Sequence, residues 1–200
     1  MQHAGKEKMV KIICFGDSLT FGYQVSREDK WHVIATTKTG ISLVNRGVSG
    51  DTTVGMLKRI QKQVFDAKPD GMILMAGYND IFFNRSWEQA AKNLAAMVDQ
   101  SRAKGIQVFV AIPPPIHLPV TFKEGGELVD FEKAAVMIAD YCQWLRDYTT
   151  SSQLFTLDFS AAGDWCDNDL YLDGIHQSPA GHRLMADQVI DFLEKTVIAK

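Results

Sequence analysis

Cysteine is scarce in this chain: Cys14, Cys142 and Cys166 are the three in 200 residues. An odd count with no Cys-x-x-Cys pair argues against a disulfide framework and against a zinc ribbon. Cys14 falls inside an apolar run and reads as a small core residue. Free thiols suit a reducing compartment. Basic blocks are missing too. No five consecutive Lys or Arg occur and the formal net charge is −3, so neither nucleic acid nor an anionic membrane is an expected partner. No apolar run reaches the roughly 18 residues of a membrane span. The opening stretch MQHAGKEKMV is polar and no apolar signal region follows it, so the chain is expected in the cytoplasm, with residues 1–8 as a flexible tail. Internal repeats, low-complexity tracts and interdomain linkers are also absent.

What is present is ordinary for a globular protein, with 46% hydrophobic and 22% charged residues. This length fits one domain over residues 1–200, with a core that needs no staples. Apolar runs at residues 10–15, 41–45, 71–77, 106–113 and 153–159 alternate with helical patterns at 27–40, 53–67, 86–105, 129–149 and 178–197. Ser86 and Ser178 are expected N-caps, and Pro179 stands at a first helical position. The strands are almost continuously apolar, as strands buried on both faces are. The pattern predicts an α/β domain with a five-stranded parallel sheet between helical layers. Residues 113–128 are rich in Pro and Gly and too long for a plain connection, so they are a candidate binding loop or lid.

Ligands of such sheets bind beyond the carboxyl ends of the strands. Those ends carry Gly16-Asp17-Ser18, Ser49-Gly50-Asp51, Gly77-Tyr78-Asn79-Asp80 and, before the last helix, Asp173-Gly174-Ile175-His176. A serine hydroxyl needs a base to take its proton and a partner to orient that base. His176 and Asp173 can supply both. Three groups on the same rim can donate to a developing oxyanion: the backbone N–H of Ser18, that of Gly50, and the Asn79 side-chain amide.

Four blocks, GDSLT at 16–20, Gly50 within NRGVSGDT, GYND at 77–80 and DGIH at 173–176, resemble in kind and order those of the SGNH hydrolases, also called GDSL esterases and lipases. The resemblance spans residues 12–182. It implies a flavodoxin-like three-layer α/β/α sandwich, with Ser18 as nucleophile, His176 as base and Asp173 as its orienting acid. Ser18, Gly50 and Asn79 would form the oxyanion hole. The implied activity is hydrolysis of carboxylic esters or thioesters through an acyl-enzyme, with a small-molecule ester as substrate and no cofactor or metal. A carbohydrate O-deacetylase of the same family is the alternative. Two further readings stand beside it. One is a metal-dependent phosphoesterase using Asp17, Asp51, Asn79, Asp80, Asp173 and His176. The other is a non-catalytic module that binds an acyl group or a sugar.

Around these blocks, Asp17 and Asp51 read as turn or cap residues and Asp80 as a possible anchor for the Asn79 loop. His182 reads as a helix-surface or packing residue. Tyr78, Phe82, Phe83 and His117 are candidate substrate-pocket residues. Trp87, Trp165 and Tyr171 fit either pocket wall or core.

Overall fold

The computed structural model describes residues 9–84, 86–120 and 130–198. The expected tail at 1–8 and the second half of the 113–128 segment lie outside the described residues. Five strands are present: β1 (Lys11–Gly16), β2 (Ser42–Gly47), β3 (Gly71–Met75), β4 (Gln107–Ile112) and β5 (Phe155–Asp158). The helices are α1 (Ser18–Phe21), α2 (Trp31–Thr39), α3 (Thr53–Gln63), α4 (Tyr78–Asn84), α5 (Glu88–Ala103), α6 (Phe131–Ser151) and α7 (Pro179–Leu193).

All strand pairs are parallel and the order is β2-β1-β3-β4-β5. Helix α2 packs on α7, while α3 packs on α5 and α5 on α6. With right-handed crossovers this gives one helical layer on each face of the sheet. Burial explains the strand sequences. The central strand β3 is buried throughout, whereas the edge strands β2 and β5 are only partly buried. The core gathers Phe15, Met56, Ile60, Ile73, Leu74, Tyr141 and Phe159 on the two faces, and each such side chain contributes about 1.5–3 kcal/mol by leaving water. Cys14 and Cys142 are buried free thiols and Cys166 is exposed.

Several boundaries differ from the expectation. The 27–40 pattern splits into a short 3-10 turn (Arg27–Asp29) and α2, because Lys30 is extended at φ −71°, ψ 134°. Its ammonium donates to the Phe21 carbonyl at 2.9 Å and lies over the Phe21 ring. Ser86 does not cap α5. Trp87 holds the cap position without a side-chain bond, and the Ser86 hydroxyl turns to the Glu88 carboxylate instead. Ser178 does cap α7, accepting from the N–H groups of Ala180 and Gly181, with Pro179 in the first turn. Among the described residues no helix is long and apolar enough to cross a membrane.

The order 2-1-3-4-5 reverses direction between β1 and β3, and crevices at such a switch point are where open α/β sheets take ligands. Strand β1 runs into Ser18 and β3 into Asn79, one on each side of that crevice.

Candidate active site

Strand β1 ends at Gly16, and Asp17 turns the chain by accepting the Leu19 N–H at 3.0 Å on Oδ1. That cap starts α1 at Ser18, whose own N–H therefore has no intrahelical acceptor. The loop before α7 is built as tightly. Asp173 Oδ1 accepts the backbone N–H of Ile175 at 3.0 Å and of His176 at 2.8 Å, an Asx turn helped by Gly174 at φ +80°. The Leu172 N–H donates to the His176 carbonyl at 2.8 Å and closes the loop.

This places the His176 ring between two partners. Its Nδ1 lies 2.7 Å from Asp173 Oδ2 and its Nε2 lies 2.9 Å from Ser18 Oγ. Burial alone would raise the Asp173 carboxyl, but hydrogen bonds from the His176 ring and backbone outweigh it and hold the group below the usual carboxylate range. Asp173 is thus an anion suited to keeping a proton on Nδ1, which leaves Nε2 free to accept from Ser18.

The three candidate oxyanion donors follow β1, β2 and β3: Ser18 opens α1, Gly50 lies on the loop after β2, and Asn79 is in the first turn of α4. Gly50 has φ +77°, which favours glycine, while an added Cβ there would meet nothing within 4 Å. The visible reason for glycine is therefore conformation, not close approach by neighbouring protein atoms. The Asn79 amide donates to the Asp51 carbonyl at 2.9 Å and lies 3.5 Å from Asp17 Oδ2. Asp80 accepts from the Thr53 N–H at 2.9 Å and from the Thr53 hydroxyl at 2.6 Å, tying the Asn79 loop to the start of α3.

The remaining candidates separate. Tyr78 is buried, donates to the Pro114 carbonyl at 2.8 Å, and borders a cavity of about 400 Å³ with Pro113, Pro115, Ile116, Ile138 and Cys142. Phe82 packs edge-on between Tyr78 and Phe131, and Phe83 is 66% exposed. His117 stacks on Tyr171, its Nε2 lies 2.6 Å from Asn168 Oδ1, and its backbone N–H donates to the Gly174 carbonyl at 2.8 Å. It thereby braces the Asp173–His176 loop. Trp165 and Tyr171 are buried and donate to the carbonyls of Phe159 and Pro115, and Trp87 packs against Tyr141 and Trp144. His182 is buried and accepts the Trp31 N–H on Nδ1.

The carboxylates of the phosphoesterase reading are engaged in different places: Asp51 by Arg59, Asp80 by Thr53, Asp173 by His176. Among the described residues no group of three or more His, Cys, Asp or Glu gathers as a metal site.

Two residues near this site carry no motif signal. The Tyr23 ring lies 4.6 Å from the His176 ring, centroid to centroid, at 41°. Arg59 pairs with Asp51 at 2.6 Å behind the Gly50 loop.

Comparison with known proteins gives consistent results. The model of a family described as the GDSL-like Lipase/Acylhydrolase family matches residues 14–184. "Esterase TesA" of Pseudomonas aeruginosa is 25% identical over 137 residues, covering 63% of this chain and 68% of that protein. "Arylesterase" of Vibrio mimicus is 28% identical over 119 residues, covering 56% of this chain and 60% of that protein, less than two thirds of its length. Among solved structures, the native M. smegmatis aryl esterase superposes with a TM-score of 0.81 at 18% identity, covering 94% of this chain and 100% of that one. The lipase/acylhydrolase from Enterococcus faecalis gives 0.77 at 24% identity, covering 94% and 96%. At these identities the structural likeness speaks to the fold.

Proposed function

The chain belongs to the GDSL-like lipase/acylhydrolase family, and on that premise we propose that it is a serine esterase that cleaves carboxylic esters or thioesters through an acyl-enzyme. The observation that carries the reading is the continuous chain Ser18 Oγ, His176, Asp173, with contacts of 2.9 and 2.7 Å, at the switch point of the sheet.

The steps follow from that arrangement. Ser18 Oγ attacks the ester carbonyl carbon while its proton passes to His176 Nε2. Asp173 stabilises the imidazolium through Nδ1–H and stays ionised. The carbonyl oxygen becomes an alkoxide facing the Ser18 and Gly50 N–H groups and the Asn79 amide. Each such donor is worth about a hundred- to a thousandfold in turnover. The intermediate collapses, the alcohol or thiol leaves with the proton from Nε2, and Ser18 carries the acyl group. Water then attacks the acyl-enzyme by the same route and releases the acid. General-base transfer through His176 supplies about 10²–10⁴-fold.

The test uses purified protein, a chain-length series of p-nitrophenyl esters and thioesters, and acetylated sugars in parallel. Ser18→Ala and His176→Ala should abolish hydrolysis with unchanged circular dichroism, and EDTA should leave the wild type unaffected. Hydrolysis that survives Ser18→Ala, or that EDTA abolishes, contradicts the reading. Confinement of activity to the acetylated sugars assigns the deacetylase branch.

A further inference from the structure

We propose that Arg59 is the positioning residue of the oxyanion pocket: one guanidinium fixes the three donor-bearing segments after β1, β2 and β3 relative to one another. The inference rests on the reading of Ser18 as the nucleophile. Arg59 lies on α3, behind the rim, and its side chain is only 15% exposed. Its Nε donates to Asp51 Oδ2 at 2.6 Å, one Nη to the Gly16 carbonyl at 2.8 Å, and the other to the Arg46 carbonyl at 2.7 Å and to Gln63 Oε1. The guanidinium carbon lies 4.2 Å from the centroid of the Phe15 ring.

Each partner leads to a donor. Gly16 is the last residue of β1, two before Ser18. Arg46 is near the end of β2, on the strand that feeds the Gly50 loop. Asp51 directly follows Gly50, and its carbonyl accepts the Asn79 amide at 2.9 Å. One cation therefore reaches the chain beside Ser18 and Gly50 directly and Asn79 through Asp51. A planar fork of N–H groups can bind a carboxylate and two carbonyls in fixed directions, which the point charge of a lysine cannot reproduce. The sequence makes room for this: a Cβ added at Gly55, in the first turn of α3, would overlap Asp51 Oδ1.

The chemical consequence is specific. Oxyanion donors must sit where charge develops, and a misplacement near 1 Å costs on the order of a hundredfold. Substrate binding in the ground state does not depend on those donors to the same degree. Loss of Arg59 should therefore fall on kcat and spare KM.

The experiment compares wild type, Arg59→Met, Arg59→Lys, Asp51→Asn and Gly55→Ala on one p-nitrophenyl ester, at a temperature where each variant is folded by circular dichroism. A trifluoromethyl ketone, which adds Ser18 Oγ to give a tetrahedral alkoxide, reports on the oxyanion pocket. Arg59→Met should lose about 10–100-fold in kcat with KM within about threefold. Its inhibition constant for the ketone should rise by the same factor as kcat falls, and Arg59→Lys should not restore either. If Arg59→Met does not fold, Asp51→Asn and Gly55→Ala should show the same split. Unchanged kcat in the folded variants, or ketone affinity that stays at the wild-type value while kcat falls, overturns the proposal. Ser18→Ala separates the two levels. If it retains activity, the esterase reading fails. If it is inactive while Arg59→Met keeps full kcat, only the role of Arg59 fails.

Discussion

His176 Nε2 lies 2.9 Å from Ser18 Oγ, although 158 positions separate the two residues in the chain. The fold closes that gap with two rigid devices. Strand β1 ends in a capped turn that fixes Ser18, and an Asx turn before α7 fixes His176. Both side chains thus depend on short local hydrogen bonds for aim and on the sheet for proximity.

The first prediction concerns tautomer control. Asp173→Asn presents an amide to His176 Nδ1 and removes the anion that holds the proton there. The expected loss in kcat is about 10³–10⁴-fold, with folding retained. Steady-state kinetics on a p-nitrophenyl ester checks it, and a loss below tenfold would rule out an orienting role for Asp173. In the wild type Asp173 is held below the usual carboxylate range despite its burial. The rate profile should therefore show no carboxylate step from this group above about pH 4.

The second concerns Tyr23, whose ring lies 4.6 Å from that of His176. On the proposed mechanism an aromatic face would stabilise the imidazolium formed when Ser18 gives up its proton. An exposed contact of this kind is worth about two- to fivefold in rate. Tyr23→Phe keeps the ring and should match the wild type. Tyr23→Leu keeps bulk but not the ring charge distribution, and should lower kcat/KM by that factor. Identical kcat/KM for the Phe and Leu variants would remove the role.

The third concerns Asp17, whose carboxyl is raised to about 6, chiefly by burial. Its value in the unfolded chain lies near 3.8. Between those values the folded state binds more protons than the unfolded one, so stability falls as pH rises through 6 and stays reduced above it. The cost at pH 8 is on the order of 3 kcal/mol. Asp17→Asn keeps an oxygen acceptor for the Leu19 N–H and removes the charge. Its Tm should exceed that of the wild type at pH 8, with the gap closing toward pH 4. A constant gap across that range would refute the linkage.

The fourth concerns His32 and His182, between α2 and α7. Both are lowered to about 4, chiefly by burial. His182 Nδ1 accepts the Trp31 N–H at 3.3 Å, and His32 Nδ1 is buried with no partner among the described residues. Unfolded imidazoles charge near 6.5, so the unfolded chain binds more protons between 6.5 and 4. The stabilisation is complete above 6.5 and is lost as pH falls toward 4, by on the order of a few kcal/mol for the two neighbouring rings together. His182→Asn should flatten the Tm profile over that range, and an unchanged slope would contradict it.

The sequence made the sheet legible because central parallel strands are buried on both faces, so Ile12–Phe15 or Gly71–Met75 could hardly be anything else. The polar ends of those strands then pointed to Ser18, Gly50, Asn79, Asp173 and His176. Ser178 was legible because its cap is local. Ser86 departs from its local cap signal because its hydroxyl bonds the neighbouring Glu88 carboxylate instead of the helix end. Lys30 breaks a helical pattern by taking an extended backbone, which periodicity does not encode. Arg59 and Tyr23 were invisible for the same reason: an arginine on a helix face and an aromatic after a turn have ordinary local settings. Their meaning lies in Gly16, Arg46 and Asp51 for one, and in His176 for the other, which only the assembled rim brings near.

The central claim is that Ser18 is the nucleophile, and intact-protein mass spectrometry after treatment with a fluorophosphonate tests it most directly. The wild type should gain a single adduct that peptide mapping places on Ser18, at a rate that falls in His176→Ala, while Ser18→Ala should gain none. An adduct on Ser18→Ala at the wild-type rate, or a wild type that stays unlabelled while hydrolysing esters, would contradict the account.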